Sequence, residues 1–509
     1  MIPAAHLARL TADDADPDEV SAVFAAMRAA WGLDLLAGEG RAPGPWRPLR
    51  AGPPRTWGTP AGPLAPVVGS AAALAAAFAT GRATPSGVLE VLLARLAAAD
   101  LGLAGASPFS DLDPRRARLD AREADERWRR GVPRGPLDGV PVPVKDHHAL
   151  AGLPARAGTA YRTRPARRDG GVALALRAAG AVLPGTSTST EWGLDAVGRA
   201  GGRPLPLNPH TGRHAPGGSS TGAGVAVSLG LVPLALGSDG GGSLRIPAAL
   251  LGLFALKPSW RPEILAGDAF APSTLCVNGG IATTCADLAA LAGVGGLDRG
   301  IARCRLGLPV EAWASARPEV AAAGQALCAG LEASGAVLVP TQLSRLALAE
   351  AVGVAAVAEG MGRGLAAELL RPELEVGADT RLLARFFTSL PEARLAAARR
   401  ARGELQRDVA AALGEVDLLA FPTTLGPAPS VRPGMRDFDP WEQRDLCHLT
   451  FLANACGLPA GSVPAGCARG LPVGLQFVGD HGDDAGVLAA MAACERAGLA
   501  VALHPPGWR

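Results

Sequence analysis

The sequence predicts an α/β fold: a single large mixed β-sheet covered by helices, with a helical extension ahead of it. Three observations carry the prediction. The chain has 509 residues, 48% apolar and only 19% charged, so it can build an extensive core and is too apolar for a disordered chain. Helix and strand signals alternate between positions 139 and 260, as in a sheet packed under helices. Two glycine-rich segments border apolar runs there, which places both at the edge of a buried sheet.

The elements follow in order. Val20, Val23, Phe24, Met27 and Trp31 recur at helical spacing, which predicts an amphipathic helix over 17–36. A Pro/Gly/Arg-rich stretch, GRAPGPWRPLRAGPPRTWGTPAGP, then reads as a linker and divides a 1–66 extension from a main domain over 67–509. Ala/Leu-rich helices are predicted over 71–79 and 84–99, the first stopped by Gly81 and the second opened by Thr84-Pro85. A charged helix follows over 114–130. The β-branched run of 139–146 predicts a strand entering a turn. Helices over 170–179 and 222–230 alternate with strands over 181–183 and 234–236. Residues 308–413 read as mostly helical. Strands return over 417–421, 462–464 and 473–478, before a last helix over 485–497.

Composition narrows the function. A net charge of +2 offers no cationic surplus for nucleic acid. The eight cysteines form no CxxC and all lie in the second half, so neither a disulfide framework nor a zinc ribbon is expected, and a cytoplasmic location is. The first twenty residues carry acids early and no apolar h-region, unlike a secretory signal. The uncharged stretch 219–238 contains four Gly and a Pro, so it reads as a glycine-rich core rather than a membrane span.

Lysine is informative because it is rare. Of 49 basic residues only Lys145 and Lys257 are lysines. Arginine can replace lysine at most surface positions, but not where an amine must lose its proton. Lys145 ends an apolar run, and burial lowers an amine's pKa toward neutrality.

The chemistry concentrates in PGGSSTGAG (216–224) and GSDGGGSLRIP (237–247). Gly240, Gly241, Gly242 and Ser243 can aim backbone N–H groups at one point, a nest suited to an oxyanion. Ser243 at its end is placed as a nucleophile. No His partner lies nearby, so Lys145 is the candidate base and Ser219 a candidate hydroxyl relay. Competing readings are weaker. A P-loop needs Lys where Ala223 stands, and a dinucleotide fingerprint fails at Val227. Adjacent His147 and His148 read as ordinary loop residues, and no motif supports a metal.

In these segments the sequence resembles the amidase signature family. The resemblance runs through PLDGVPVPVKD (136–146), APGGSS (215–220), LALGSDGGGSLRIPAALLGLFALKP (234–258), LANACGLPAGSVPAG (452–466) and GLPVGLQFVG (470–479), and spans most of 67–500. It implies an amidase hydrolysing a small carboxamide through a Ser-Ser-Lys triad. Ser243 matches the acyl-forming nucleophile, Ser219 the middle serine on a cis peptide, and Lys145 the base. Backbone N–H groups of Gly240 to Ser243 match the oxyanion hole. Asp239 and Arg245 match positions bracing that loop, and Lys257 a structural motif. Trp192 falls near family pocket residues. No cofactor is required, and the expected partner is a small amide, with no nucleic acid and no membrane. Departures include Thr221 for Gly, Ala223 for Ser, SWRPEILAGDAF after Pro258, and Val277-Asn-Gly-Gly-Ile281. Two alternatives share the acyl-enzyme: an acyltransferase passing it to an amine, and a glutaminase subunit docking on a partner through 1–66. A homodimer is a further allowed assembly.

Overall fold

A computed structural model describes residues 2, 9–11, 15–37, 69–97, 106–199, 202–261, 275–298, 300–362, 365–431 and 439–505. The predicted linker and most of the stretch after Pro258 lie outside these residues. An eleven-stranded mixed sheet forms the centre, in the order β1-β3-β2-β4-β6-β5-β10-β11-β9-β7-β8. Its strands are β1 (Phe109–Leu112), β2 (Val144–Lys145), β3 (Gly185–Ser187), β4 (Leu234–Asp239), β5 (Phe254–Lys257), β6 (Val277–Ala282), β7 (Arg305–Pro309), β8 (Val337–Thr341), β9 (Leu418–Pro422), β10 (Ala460–Ala468) and β11 (Leu471–Val478). β2 runs parallel to both β3 and β4, while β4, β6, β5, β10, β11 and β9 are joined antiparallel.

The expected architecture is present, with local differences. The strand predicted over 139–146 narrows to Val144–Lys145, because Pro141 and Pro143 lack the N–H a ladder needs. The strand predicted over 181–183 reduces to a bridge from Val182 to Pro141, and the ladder resumes at Gly185–Ser187. β7 and β8 lie inside or beside the stretch read as helical, and β5 and β6 were not foreseen. The first helix stops at Ala30, capped by Trp31, before a 3-10 turn over Leu33–Ala37.

Two helices hold the middle of the molecule. Every residue of Thr221–Ser228 and of Arg245–Leu251 is buried. The first begins directly after Ser219-Ser220. The second begins directly after the Gly240–Ser243 loop, which leaves the end of β4. Strand pairing thus sets Lys145 on β2 beside Ser238 on β4, with Val144 opposite Leu236.

Candidate active site

Lys145 is fully buried, and its Nζ lies 2.7 Å from Ser219 Oγ and 3.0 Å from Ser238 Oγ. Burial pulls its pKa from 10.5 down to about 8, while Asp146 and Asp239 push back through their charge. A neutral amine in this position can accept from Ser219 and donate to Ser238. Ser238 was read only as the start of the glycine-rich motif, with no role assigned; the signal for one is its place on the strand adjacent to the lysine. The Gly218–Ser219 peptide is cis.

Ser243 lines the same cavity as Lys145, Ser219 and Ser238. Its hydroxyl makes no hydrogen bond among the described residues, so the expected link from Ser219 to Ser243 is not closed. Catalytic hydrogen bonds often tighten only when substrate is bound.

The Gly240–Ser243 loop is braced from beneath. Asp239 accepts from the Gly242 N–H at 2.7 Å, the Leu244 N–H at 3.2 Å, Arg245 at 3.0 and 3.1 Å, and Asn454 at 3.0 Å. Burial alone would raise this carboxyl. The Arg245 charge and its hydrogen bonds, with Lys257 and the Gly242 N–H, override burial and hold it at about 2. Arg245, also fully buried, donates further to Gln476 at 2.8 Å and Asn454 at 2.7 Å. Asn454 and Gln476 escaped the sequence reading. Five guanidinium donors demand several acceptors, but nothing local says which distant residues supply them.

This bracing amends the nest. The Gly242 N–H is spent on Asp239, so it does not face the cavity, whereas the N–H groups of Gly240, Gly241 and Ser243 have no acceptor among the described residues. Gly242 sits at φ 120°, where a side chain is strained. Gly241 is constrained differently: a Cβ there would lie 2.6 Å from the Phe451 ring.

The remaining positions sort clearly. His147 sits in a turn, as expected, but is buried and lines the cavity, and burial together with Lys145 holds its pKa well below 6.5. Trp192 also lines the cavity, at φ 54°, its indole N–H 3.0 Å from Tyr161 Oη. Lys257 stands away from the cavity, buried, donating to the Pro258 carbonyl at 2.8 Å. Both departures near Ser219 are absorbed: Thr221 Oγ1 donates to the Gly217 carbonyl at 2.9 Å, and Ala223 packs in an apolar cluster with Leu251 and Ile281. The eight cysteines are free thiols. Among the described residues, no helix is long and apolar enough to cross a membrane.

Cavity walls come from distant parts of the chain. Trp31, Val354, Val357, Leu383, Phe387 and Phe451 supply apolar surface. The only side chain of the lining that can carry a positive charge near pH 8 is Lys145, and no carboxylate or guanidinium lines the cavity among the described residues.

Comparison with known proteins gives a consistent picture. The amidase family profile matches residues 88–294 and 301–488. The chain is 33% identical over 460 residues to a subunit of the glutamyl-tRNA(Gln) amidotransferase of Chloroflexus aggregans, covering 81% of this chain and 93% of that one. Among solved structures, a crystal structure of an amidase superposes with a TM-score of 0.73 at 28% identity, covering 84% of this chain and 99% of the other. A peptide amidase in complex with the competitive inhibitor chymostatin superposes with a TM-score of 0.69 at 27% identity, covering 86% and 99%.

Proposed function

The chain belongs to the amidase family and is an amidohydrolase of that kind, and from this premise we propose that it hydrolyses the C–N bond of a small, uncharged carboxamide through an acyl-enzyme on Ser243. The observation that carries the reading is the buried Lys145 amine, 2.7 Å from Ser219 Oγ in the cavity that Ser243 lines.

In this mechanism the neutral Lys145 accepts the Ser219 proton as Ser219 takes the Ser243 proton. Ser243 Oγ attacks the amide carbon. The carbonyl oxygen becomes an oxyanion, held by the N–H groups of Gly240, Gly241 and Ser243. As the tetrahedral intermediate collapses, the C–N bond breaks and the departing amine takes the proton back from Lys145 through Ser219. Water then attacks the acyl-enzyme by the same proton route, releasing the acid and restoring Ser243. Ser238 accepts a hydrogen bond from Lys145 throughout and fixes the amine's direction.

Similarity to the amidotransferase protein favours a second reading, a glutaminase passing ammonia to a partner. Glutamine carries an α-ammonium and an α-carboxylate, and each needs a counter-charge when buried. The described lining offers no carboxylate or guanidinium for them, so an uncharged amide is the better fit. Acyl transfer to an amine uses the same intermediate and differs only in the second nucleophile.

The test is amine or ammonia release from a panel of amides, including glutamine, with product analysis in the presence of added amines. Activity should vanish in Ser243→Ala and Lys145→Ala. Turnover retained by both variants would end the triad assignment, and glutamine as the best substrate would favour the second reading.

A further inference from the structure

Resting on that acyl-enzyme reading, we propose that Trp31 is a specificity-determining residue that walls the substrate cavity and limits the acyl group to a short, uncharged aliphatic one. The residue comes from the N-terminal segment, which the sequence reading set apart as an extension. Its indole is 5% exposed and lines the cavity that holds Lys145, Ser219 and Ser243.

The ring is fixed in place. It stacks on Phe387 with centroids 6.1 Å apart and planes at 28°, and meets Phe386 at 5.2 Å. Phe387 and Leu383 line the cavity themselves, from the Ala378–Thr388 helix, and Val354 and Val357 join them from the Leu348–Gly362 helix. On either side of Trp31 the segment is anchored. Met27 and Leu33 are fully buried, Arg394 donates to the Leu33 carbonyl at 2.6 Å and to Asp34 at 3.0 Å, and Gly32 makes the turn at φ 62°. A ring packed on two sides and tied at its backbone cannot swing out cheaply, so its edge is a boundary for whatever binds.

Volume and charge then define the occupant. The cavity measures about 100 Å³. An enclosed cavity of roughly 150 Å³ is known to hold one benzene, so this smaller, partly open one favours a short aliphatic group over a phenyl ring. Its described walls are apolar apart from Gln443 and the groups around Lys145, with no carboxylate or guanidinium to meet a charged substituent. Truncating the indole would join its own volume to the cavity and admit a ring.

The experiment compares kcat/KM for propionamide and phenylacetamide in the wild type, Trp31→Ala, Trp31→Phe and Met27→Ala, with thermal unfolding of each. The wild type should favour propionamide. Trp31→Ala should raise the phenylacetamide-to-propionamide ratio by roughly 10-fold or more, the scale on which a pocket discriminates apolar groups, with Trp31→Phe between. Met27→Ala, buried in the same segment but outside the cavity lining, should leave the ratio unchanged. Trp31→Phe decides the matter if the alanine variant does not fold. An unchanged ratio in the Trp31 variants, an equal shift in Met27→Ala, or a wild-type preference for phenylacetamide overturns the inference. Propionamide turnover surviving in Ser243→Ala would instead overturn the acyl-enzyme reading beneath it.

Discussion

The pH dependence of kcat/KM tests the lysine most directly. With Lys145 near 8, roughly 10% of the free enzyme carries the neutral amine at pH 7 and roughly 90% at pH 9, so kcat/KM should rise about 10-fold between them. Ser238→Ala perturbs that limb in a defined direction. The hydroxyl accepts from Nζ at 3.0 Å, and a hydrogen bond to an ammonium is stronger than one to an amine. Removing it withdraws stabilisation from the charged form, worth about 1.4 kcal/mol, so the limb should move about one pH unit lower. The variant should therefore lose less activity than the wild type when assayed at pH 6.5 rather than pH 9. Initial rates at subsaturating amide, from pH 6 to 10, give both profiles. A limb that stays in place or moves upward in Ser238→Ala refutes the claim that this amine is the titrating base. Substantial activity in Lys145→Arg, whose guanidinium stays protonated, refutes it independently.

Three other outcomes are expected. Asp239→Asn strips the buried Arg245 of its charge partner and should destabilise the fold by about 3–5 kcal/mol in denaturant unfolding, with activity lost even where the chain still folds. Lys257 has a folded pKa of about 7, pulled down by burial and by Arg245, against 10.5 when unfolded. Between those values the unfolded chain binds more protons, so stability rises with pH; raising the pH from 7 to 8.5 should gain about 1.5 kcal/mol in the wild type over Lys257→Met, by chemical denaturation at each pH. Gly353→Ala places a methyl group against the Phe451 ring, which must shift, so unfolding should be eased by about 1–3 kcal/mol and kcat lowered as the ring presses on Gly241.

Much of the site was legible because its chemistry is local. Lys145 stood out against an arginine-rich background, and the serines of 219 and 243 sit in glycine contexts that few other functions require. Strands β4, β9, β10 and β11 were legible as short apolar runs between helices, whereas β1, β5, β6, β7 and β8 were not. What escaped has a common cause, which is that sequence distance hides spatial neighbours. Trp31, Val354, Leu383 and Phe387 reach the cavity from segments with no motif, and each reads locally as ordinary helix packing. Ser238 was hidden because its partner lies on another strand. Asn454 and Gln476 were hidden because charge accounting requires acceptors for Arg245 without identifying them. His147 is the loop residue it was read as, but nothing in its sequence neighbourhood marked its burial against the cavity. The 139–146 run resembles a full strand only while its valines are weighed above its prolines.

The ties from Arg245 to Asn454 and Gln476 reach across more than two hundred positions. As the polypeptide leaves the ribosome, the loop ending in Ser243 emerges long before the groups that hold its buried arginine. Until Asn454 and Gln476 have been made, that guanidinium lacks two of its folded-state acceptors, and the loop has only the local bracing of Asp239. Chains that stop short of β11 should therefore be silent toward amides. It also means that deleting β11 should silence the protein as thoroughly as altering Ser243.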